Sequence, residues 1–365
     1  MQETTKEQKN NSHIFTGNIY IFHAFDVGDD INLEKIEKSG ILPIHPLTSS
    51  KYFKNYHRPL GVELPSHAQA SSELSSCKIH NFGSISFTYK IPFKDTLENI
   101  RKDINTLDYT YYEQSFQDVK AIFGPIKECI SKALFYQTRS SYMVIQVDPQ
   151  PEVFTITSLK EQYATIIASA LRFEMKSLSE YQKDEILDSA IGYFRGDLII
   201  IDTYATFLYD AEYDELLDFF ESANIQQLEL RYFDRVLDQQ LNLIYEGKVV
   251  KIPLSAYFPF IGVFAEDPIT SLGKLKADIS VITERLEGSV KLAGEPYYSE
   301  LYALLIEKLD LKNWNDAIDR KLEIIKDVQT VYQHKMDAVR EDILSILIII
   351  LIFIEAVVGI LSYFK

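Results

Sequence analysis

The chain has 365 residues, of which 46% are hydrophobic, 13% aromatic and 25% charged. This balance is typical of a folded protein of roughly two domains, and it excludes a disordered chain and a membrane protein with many spans. The formal net charge of -16 disfavours contact with polyanions, so we expect no direct binding to DNA or RNA.

The N-terminal part of the chain predicts the start of an α+β head. Residues 1–12 are polar and are predicted to be disordered. Residues 18–25 are rich in β-forming side chains and predict a strand, and residues 31–38 predict a helix. Prolines among serines and histidines predict a long loop over residues 41–76. Apolar and small polar side chains alternate over residues 82–90, which predicts a half-buried strand.

Helices and strands are predicted to alternate through the rest of the head. The predicted helices are 96–107, 116–135, 158–194, 214–222 and 226–245, and the predicted strands are 142–147, 153–156, 197–209 and 249–252. Residues 252–264 are apolar, but they are too short and too rich in proline for a second membrane crossing. We therefore expect residues 13–265 to form a mixed α/β head.

Helical periodicity dominates the sequence after the head. Within residues 266–342, helices are predicted over 278–292 and 298–309, followed by a stalk that begins near Asn313. Apolar side chains recur at heptad spacing along one seam of this stalk, at Leu322, Ile325, Tyr332, Met336 and Val339. The seam must be covered, either by a second copy of the chain in a coiled coil or by the preceding helices of the same chain. The sequence leaves both alternatives open.

The segment 343–364 predicts one transmembrane helix that continues the stalk. As a helix it spans about 33 Å, compared with about 30 Å for the hydrocarbon core of a bilayer. The residues that mark this span are Ile343, Ile350, Phe353, Glu355, Ile360 and Phe364. Because only Lys365 follows, we expect a C-terminal anchor that holds the head against membrane lipid.

The charges beside the span predict its orientation. Lys326, Lys335 and Arg340 precede the span and Lys365 alone follows it, so the head is predicted to be cytoplasmic. The N-terminus has neither the apolar stretch of a secretory signal nor the arginines of a mitochondrial transit peptide. These features favour a bacterial inner membrane.

Glu355 lies near the middle of the predicted span and away from the heptad seam. An ionised carboxylate at this depth costs roughly 3 kcal/mol, so the group should be protonated, reach the membrane interface, or pair with another helix. A neutral acid that is tolerated in a weakly constrained anchor is the alternative interpretation.

The C-terminal third resembles a known family. The residues that carry the resemblance are Glu295-Pro296, Leu301-Tyr302, the run from Ile318 to Leu322 and the apolar tail with Ile354-Glu355. They resemble the domain of unknown function 155 family, which includes YagE-like bacterial proteins and the mitochondrial required-for-meiotic-nuclear-division homologues. This resemblance implies a membrane-anchored, non-enzymatic protein. By the same resemblance, the translation machinery is a partner, because the mitochondrial relatives support translation.

The sequence offers few candidates for catalysis or metal binding. It contains none of the motifs GxxxxGK[ST], GxGxxG, HExxH and GxSxG, and its two cysteines, Cys77 and Cys129, provide no zinc set. His45, His57 and His67 share the long loop, but their spacing matches no metal-binding pattern. We interpret them as solvated loop residues, and we expect no cofactor.

Three aspartates are the basis of the one catalytic alternative. Asp197, Asp202 and Asp210 bracket the strongest β segment, and such carboxylates can serve a metal-dependent hydrolase, although Asp is also a common turn former at strand ends. The sequence therefore favours a tail-anchored, non-enzymatic interaction or scaffolding protein that forms homo-oligomers or binds a protein partner. A hydrolase that uses the three aspartates is the alternative.

Overall fold

The computed structural model describes residues 13–45, 47, 59–64, 74–135, 139–192, 194, 196–246, 273, 276, 277, 279, 280 and 296–363. The chain forms two compact units, and each unit contains two separate segments of the sequence. The first unit is Met1–Tyr232 with Arg285–Asn313, and the second is Phe233–Glu284 with Trp314–Lys365.

A large sheet forms the centre of the first unit. The strands in the described residues are β1 (Phe15–Asp26), β2 (Asp30–Ile31), β3 (Ile44–His45), β4 (Leu60–Val62), β5 (Leu74–Ile79), β6 (Ser84–Asp95), β7 (Ile130–Ser131), β8 (Arg139–Val147), β9 (Ala190–Ile191), β10 (Leu198–Ile201) and β11 (Ala205–Tyr209). The 9-stranded sheet has the order β3-β4-β5-β6-β1-β8-β11-β10-β9. Its neighbours are antiparallel, except that β8 and β11 are parallel. Strands β2 and β7 form a separate pair.

The helices complete an α+β fold, as the sequence predicts. They are α1 (Leu33–Ser39), α2 (Leu97–Ile126), α3 (Ile156–Leu171), α4 (Glu180–Leu187), α5 (Asp214–Tyr245), α6 (Pro296–Lys308) and α7 (Leu311–Tyr363). Side-chain caps fix several N-termini: Thr96 accepts a hydrogen bond from the Asn99 amide, and Thr155 and Ser158 form a reciprocal capping box. The long C-terminal helix predicted from Asn313 onward is α7.

One face of the sheet is apolar and is covered by α2 and α3. Odd-numbered side chains of the central strands point to this face, including Ile21, Phe87 and Ile145, and they belong to one core with Ile104 of α2 and Ile167 of α3. The burial of this apolar surface is the main source of stability for the unit.

The other face of the sheet carries both apolar and polar side chains and is covered by α5, where Tyr142 of β8 stacks on Phe220. Ala24 of β1 packs on Ile225 and Leu228 of α5, but the neighbouring strands present Ser86 and Thr88 there, both buried. The half-buried strand predicted over residues 82–90 is therefore wrong on one point. Its small polar side does not face water, because α5 covers it.

Several predicted helices have different lengths in the structure. The two helices predicted over 96–107 and 116–135 are one helix, α2, because Tyr111 between them is buried against the sheet. This helix ends at Ile126, so the predicted end at residue 135 is wrong, and β7 begins at Ile130. The predictions 214–222 and 226–245 are likewise one helix, α5. In both cases the residues between the two predicted helices include buried side chains, Tyr111 in α2 and Ile225 in α5, and tertiary packing keeps them helical.

The long helix predicted over residues 158–194 is wrong. α3 ends at Leu171, where Phe173 adopts a left-handed conformation with φ 56°. The amide of Phe173 bonds to the Ala170 carbonyl, and the amide of Glu174 bonds to the Ser169 carbonyl, which is a Schellman motif. The chain then forms α4 and β9. The predicted strand 153–156 is also wrong, because Thr155 caps α3.

The predicted loop over residues 41–76 contributes to the sheet. β3, β4 and the start of β5 lie inside it and extend the sheet by antiparallel pairing. The predictions for residues 1–12, 249–252 and 252–264 lie outside the described residues, as does most of the helix predicted over 278–292.

Candidate functional site

The C-terminal part of α7 is apolar and exposed. Helix α7 contains a window with a mean hydropathy of 3.1, of which 0% is buried, and by length and composition it is the one candidate membrane span among the described residues. Exposed side chains in this part include Ile350, Phe353 and Ile360 at 49%, 68% and 59%. Glu355 is exposed among them, and Phe364 lies outside the described residues. A water-soluble helix does not normally expose large apolar side chains on every side.

The stalk seam is partly covered within the second unit. Its N-terminal residues Leu322, Ile325 and Tyr332 are buried, whereas Met336, Val339 and Ile343 are partly exposed. Lys321 of α7 donates to Asp234 and Asp238 of α5, each at 2.6 Å. The chain thus covers this end of the seam by itself, and nothing here requires a coiled coil between copies.

The three candidate aspartates do not form one site. Asp197 and Asp210 leave the same end of the β10–β11 hairpin, whereas Asp202 follows the other end of β10, about 16 Å away along the strand. Asp202 is buried and forms an ion pair with Arg172, whose Nη2 donates to Asp202 Oδ1 at 3.1 Å. One metal ion cannot be shared over that distance.

The described residues contain no other candidate metal site either. No set of three or more His, Cys, Asp or Glu side chains in this part of the chain could hold an ion. His45 lies in β3, and His57 and His67 lie outside the described residues.

A charged cluster between the sheet and α5 was not predicted from the sequence. We call it the α5 network; its members are Lys78, His80, Ser86, Asp218 and Glu221. Lys78 Nζ donates to Glu221 Oε2 at 2.5 Å and to Asp218 Oδ1 at 3.3 Å, and Ser86 Oγ donates to Glu221 Oε1 at 2.6 Å. His80 Nε2 lies 3.0 Å from Ser86 Oγ. Because the single hydroxyl hydrogen of Ser86 goes to Glu221, His80 is the donor in this last contact.

The electrostatics of the α5 network follow from burial and pairing. Burial raises the pKa of Glu221, but Lys78 and the hydrogen bonds outweigh it, so the net pKa lies below the usual value. Burial lowers the pKa of His80 to about 4, with Lys78 adding to the shift and Glu221 opposing it. Glu221 is therefore ionised and His80 neutral at pH 7.

The α5 network has the residue types of a catalytic site but not the arrangement. Ser86 is buried, its proton is donated to the carboxylate, and His80 donates to it rather than accepting its proton, so Ser86 is not activated as a nucleophile. The geometry ties α5 to β5 and β6. The alternation of Ser84, Ser86 and Thr88 was the only signal in the sequence, and it is equally typical of a solvent-facing strand.

A second buried polar group lies on the apolar face of the sheet, beneath α2. Tyr89 donates to Asp118 Oδ2 at 2.6 Å, and Gln114 donates to Asp118 Oδ1 at 2.9 Å. His23 is fully buried beside Tyr89, and neither of its ring nitrogens has a hydrogen-bond partner among the described residues. Burial lowers the pKa of His23, and the charge of Arg139 lowers it further.

Comparison with known families shows which family the chain belongs to. A family model described as "Uncharacterized protein MJ0711, N-terminal domain" matches residues 16–215, from β1 to the start of α5. The chain belongs to this family. It is 24% identical to "Uncharacterized protein MJ0711" of Methanocaldococcus jannaschii over 297 residues, covering 74% of this chain and 86% of that relative. No solved structure matches.

The membership overturns the resemblance to the domain of unknown function 155 family. The matched family is a different one, and the match lies over the head rather than over residues 295–360. Helical periodicity and an apolar tail, which carried that resemblance, are common to many membrane anchors. The translation role that this resemblance implied therefore has no support. The matched relative is archaeal, so a bacterial inner membrane has no support either.

Proposed function

We propose that this protein is a membrane-anchored interaction protein. The C-terminal part of α7 crosses a bilayer and holds the sheet-containing unit near the membrane, where that unit binds a protein partner. The observation that carries the proposal is the apolar window of α7, with a mean hydropathy of 3.1 and none of it buried. Such a surface is stable in hydrocarbon and costly in water.

The charges beside the span favour a cytoplasmic position for the sheet-containing unit. Lys326, Lys335 and Arg340 lie on the N-terminal side of the span, close to its start. Basic residues within a short distance of a span are retained on the cytoplasmic side.

An interaction role is favoured over catalysis because the buried reactive groups bond to one another. Glu221 is held by Lys78 and Ser86, and Asp202 is paired with Arg172. Groups that are satisfied inside the fold are not available to a substrate.

Exposed aromatic and sulfur-containing side chains at one end of the sheet also favour an interaction role. Asn105 of α2 donates to the carbonyl of Phe173, whose ring lies 6.2 Å from that of Tyr204, so these elements meet. Around this point Tyr109, Met175 and Tyr204 are 69%, 50% and 52% exposed. Tyr and Met are enriched in protein interfaces.

A pair of lysines in the span tests the anchor. Ile349→Lys with Ile350→Lys should release the protein from membranes, because each change costs about 3–4 kcal/mol in the bilayer. The matched control is Ile324→Lys with Val331→Lys, two apolar residues that are 40% and 55% exposed earlier in the same helix. The measurement is the fraction of full-length protein that stays in the membrane pellet after carbonate washing.

The wild type and the control should stay in the pellet, and the span variant should appear in the supernatant. Release of the wild type by carbonate without detergent would show that α7 is not an anchor. Retention of the span variant at the wild-type level would show the same.

A further inference from the structure

The small and polar residues of the span lie on one side of α7, and this inference rests on the proposed membrane anchor. Within residues 343–362 the side chains that are small or polar are Ser345, Glu355, Ala356, Gly359 and Ser362. At about 100° per residue they fall within an arc of about 120°. The rest of the circumference carries large apolar side chains alone. We call this arc, which also includes Leu344, Ile348 and Ile352, the Glu355 face.

The Glu355 face is not covered by the chain itself. The stalk seam occupies the a and d positions of the heptad, whereas Glu355 and Ser362 fall on f and Gly359 on c, on the opposite side of the helix. The described residues of this face are exposed. The contacts that bury Ile325 and Tyr332 therefore leave it free.

Two properties of this face require a partner in the bilayer. Lipid tails offer no hydrogen bond to the carboxyl group of Glu355, and an intramembrane acid is expected to pair with a group on another helix. Gly359 lies one turn after Glu355, and apart from its chain neighbours and the backbone of its own helix, no atom of the described residues lies within 4 Å of the place where its Cβ would be. Small residues at such a position let a second helix approach closely.

We propose that a second copy of this chain packs on the Glu355 face, so that two α7 helices form a parallel pair in the membrane with their Glu355 carboxyl groups bonded to each other. Among the described residues no other candidate span could cover this face, and the partner we propose is the α7 helix of a second molecule. Identical chains enter the membrane in the same orientation. In a parallel two-fold pair, each residue of the Glu355 face therefore meets its own counterpart. A neutral carboxyl group both donates and accepts, so it complements itself.

Disulfide crosslinking in vesicles tests which side of α7 meets the second copy. Full-length protein with Ile352→Cys should form disulfide-linked dimers on oxidation, because this residue lies on the Glu355 face. Ile350→Cys is the matched control, since it replaces the same residue type on the opposite side of the helix. The unmodified protein gives the background from Cys77 and Cys129, which are both buried. Equal crosslinking at both positions, or crosslinking at Ile350→Cys alone, would overturn the proposal.

Substitution of the acid tests its contribution. Glu355→Leu should weaken association of the helices about three-fold to thirty-fold, the effect of one hydrogen bond between membrane helices. Glu355→Gln should retain association, because an amide also donates and accepts. The measurement is the dimer fraction of purified protein as its ratio to lipid is varied. Equal association of the wild type and Glu355→Leu would contradict the proposed pairing.

Carbonate washing of the same vesicles separates the two proposals. If the protein is released, the anchor itself is wrong. If the protein is retained but the purified wild type stays monomeric, the anchor stands and the pairing of copies is wrong. The Glu355 face would then serve a different protein, with a basic or hydrogen-bonding group at this depth.

Discussion

The two faces of the large sheet are covered in different ways. Under α2 and α3 the contact is mostly apolar, with Phe87 and Ile104 in one continuous core. Under α5 the contact includes an ion pair between Lys78 and Glu221 and a hydrogen bond from Ser86. Apolar burial is non-directional, whereas a buried ion pair is stable in one geometry only. Apolar packing therefore dominates under α2 and α3, whereas under α5 apolar packing, as between Tyr142 and Phe220, is combined with a charged network that fixes where α5 lies on the sheet.

Among the polar contacts, the largest expected effect comes from breaking the ion pair between the sheet and α5. Lys78→Met should lower the free energy of unfolding by about 3 kcal/mol, because it leaves the carboxylate of Glu221 buried without a cation. Lys78→Met with Glu221→Met should restore most of this loss, since both charges are then gone. The measurement is denaturant unfolding of the full-length protein in detergent.

The apolar face supplies the control for this double substitution. Phe87→Ala should cost about 3–5 kcal/mol by leaving a cavity, and combining it with Glu221→Met should give an additive loss with no recovery. If the Lys78 and Glu221 changes were also additive, the two faces would not differ in the way described.

The next effect is a dependence of stability on pH that arises from His80. Its pKa is about 4 in the folded protein, compared with about 6.5 when unfolded. The unfolded chain therefore binds more protons between pH 6.5 and 4, so the contribution of His80 to stability is complete above pH 6.5 and is lost as the pH falls towards 4. The slope should reach about 1.4 kcal/mol per pH unit at most.

His80→Gln should make the unfolding free energy less dependent on pH in this window. His23 on the apolar face has a lowered pKa as well, so some dependence should remain in this variant. Unfolding curves of the wild type and of His80→Gln at pH 7, 6, 5 and 4.5 would measure the two pH dependences. A variant with the wild-type pH dependence would show that His80 does not titrate with folding.

The smallest effect separates two serines on the same strand. Ser86→Ala should cost about 1.5–3 kcal/mol, because its hydroxyl bonds to a charged carboxylate. Ser84→Ala should change stability by less than about 0.5 kcal/mol, because the Ser84 hydroxyl is buried and has no hydrogen-bond partner in the part of the chain that the structure describes. Equal losses in the two variants would mean that burial rather than pairing sets the effect.

The sequence predicted those elements whose signal is local. The β-forming runs that became β1 and β8 were found from composition, and the start of α7 was found from its periodicity. The end of α3 was missed, because Phe173 is neither glycine nor asparagine. A left-handed residue of this type costs about 1–2 kcal/mol, and here the bond from Asn105 and the contact with Tyr204 accompany it.

The candidate sites also differ in whether they depend on consecutive residues or on distant ones. The apolar part of α7 and the position of Glu355 were visible in the sequence, because they depend on consecutive residues. The α5 network was not visible, since Lys78 and Glu221 are separated by more than a hundred residues. The carboxylate site proposed from Asp197, Asp202 and Asp210 was wrong because an antiparallel hairpin places Asp202 at the end away from the other two.

By itself, the sequence determined strands such as β1 and β8, the start of α7 and the apolar character of its C-terminal part, because side-chain type and periodicity act over a few residues. The tertiary structure alone decided that Ser86 is buried rather than solvated, that Lys78 pairs with Glu221, and that α3 ends at Leu171. Each of these depends on groups brought together from distant parts of the chain. Their desolvation and pairing energies exist only once the sheet and its helices are assembled.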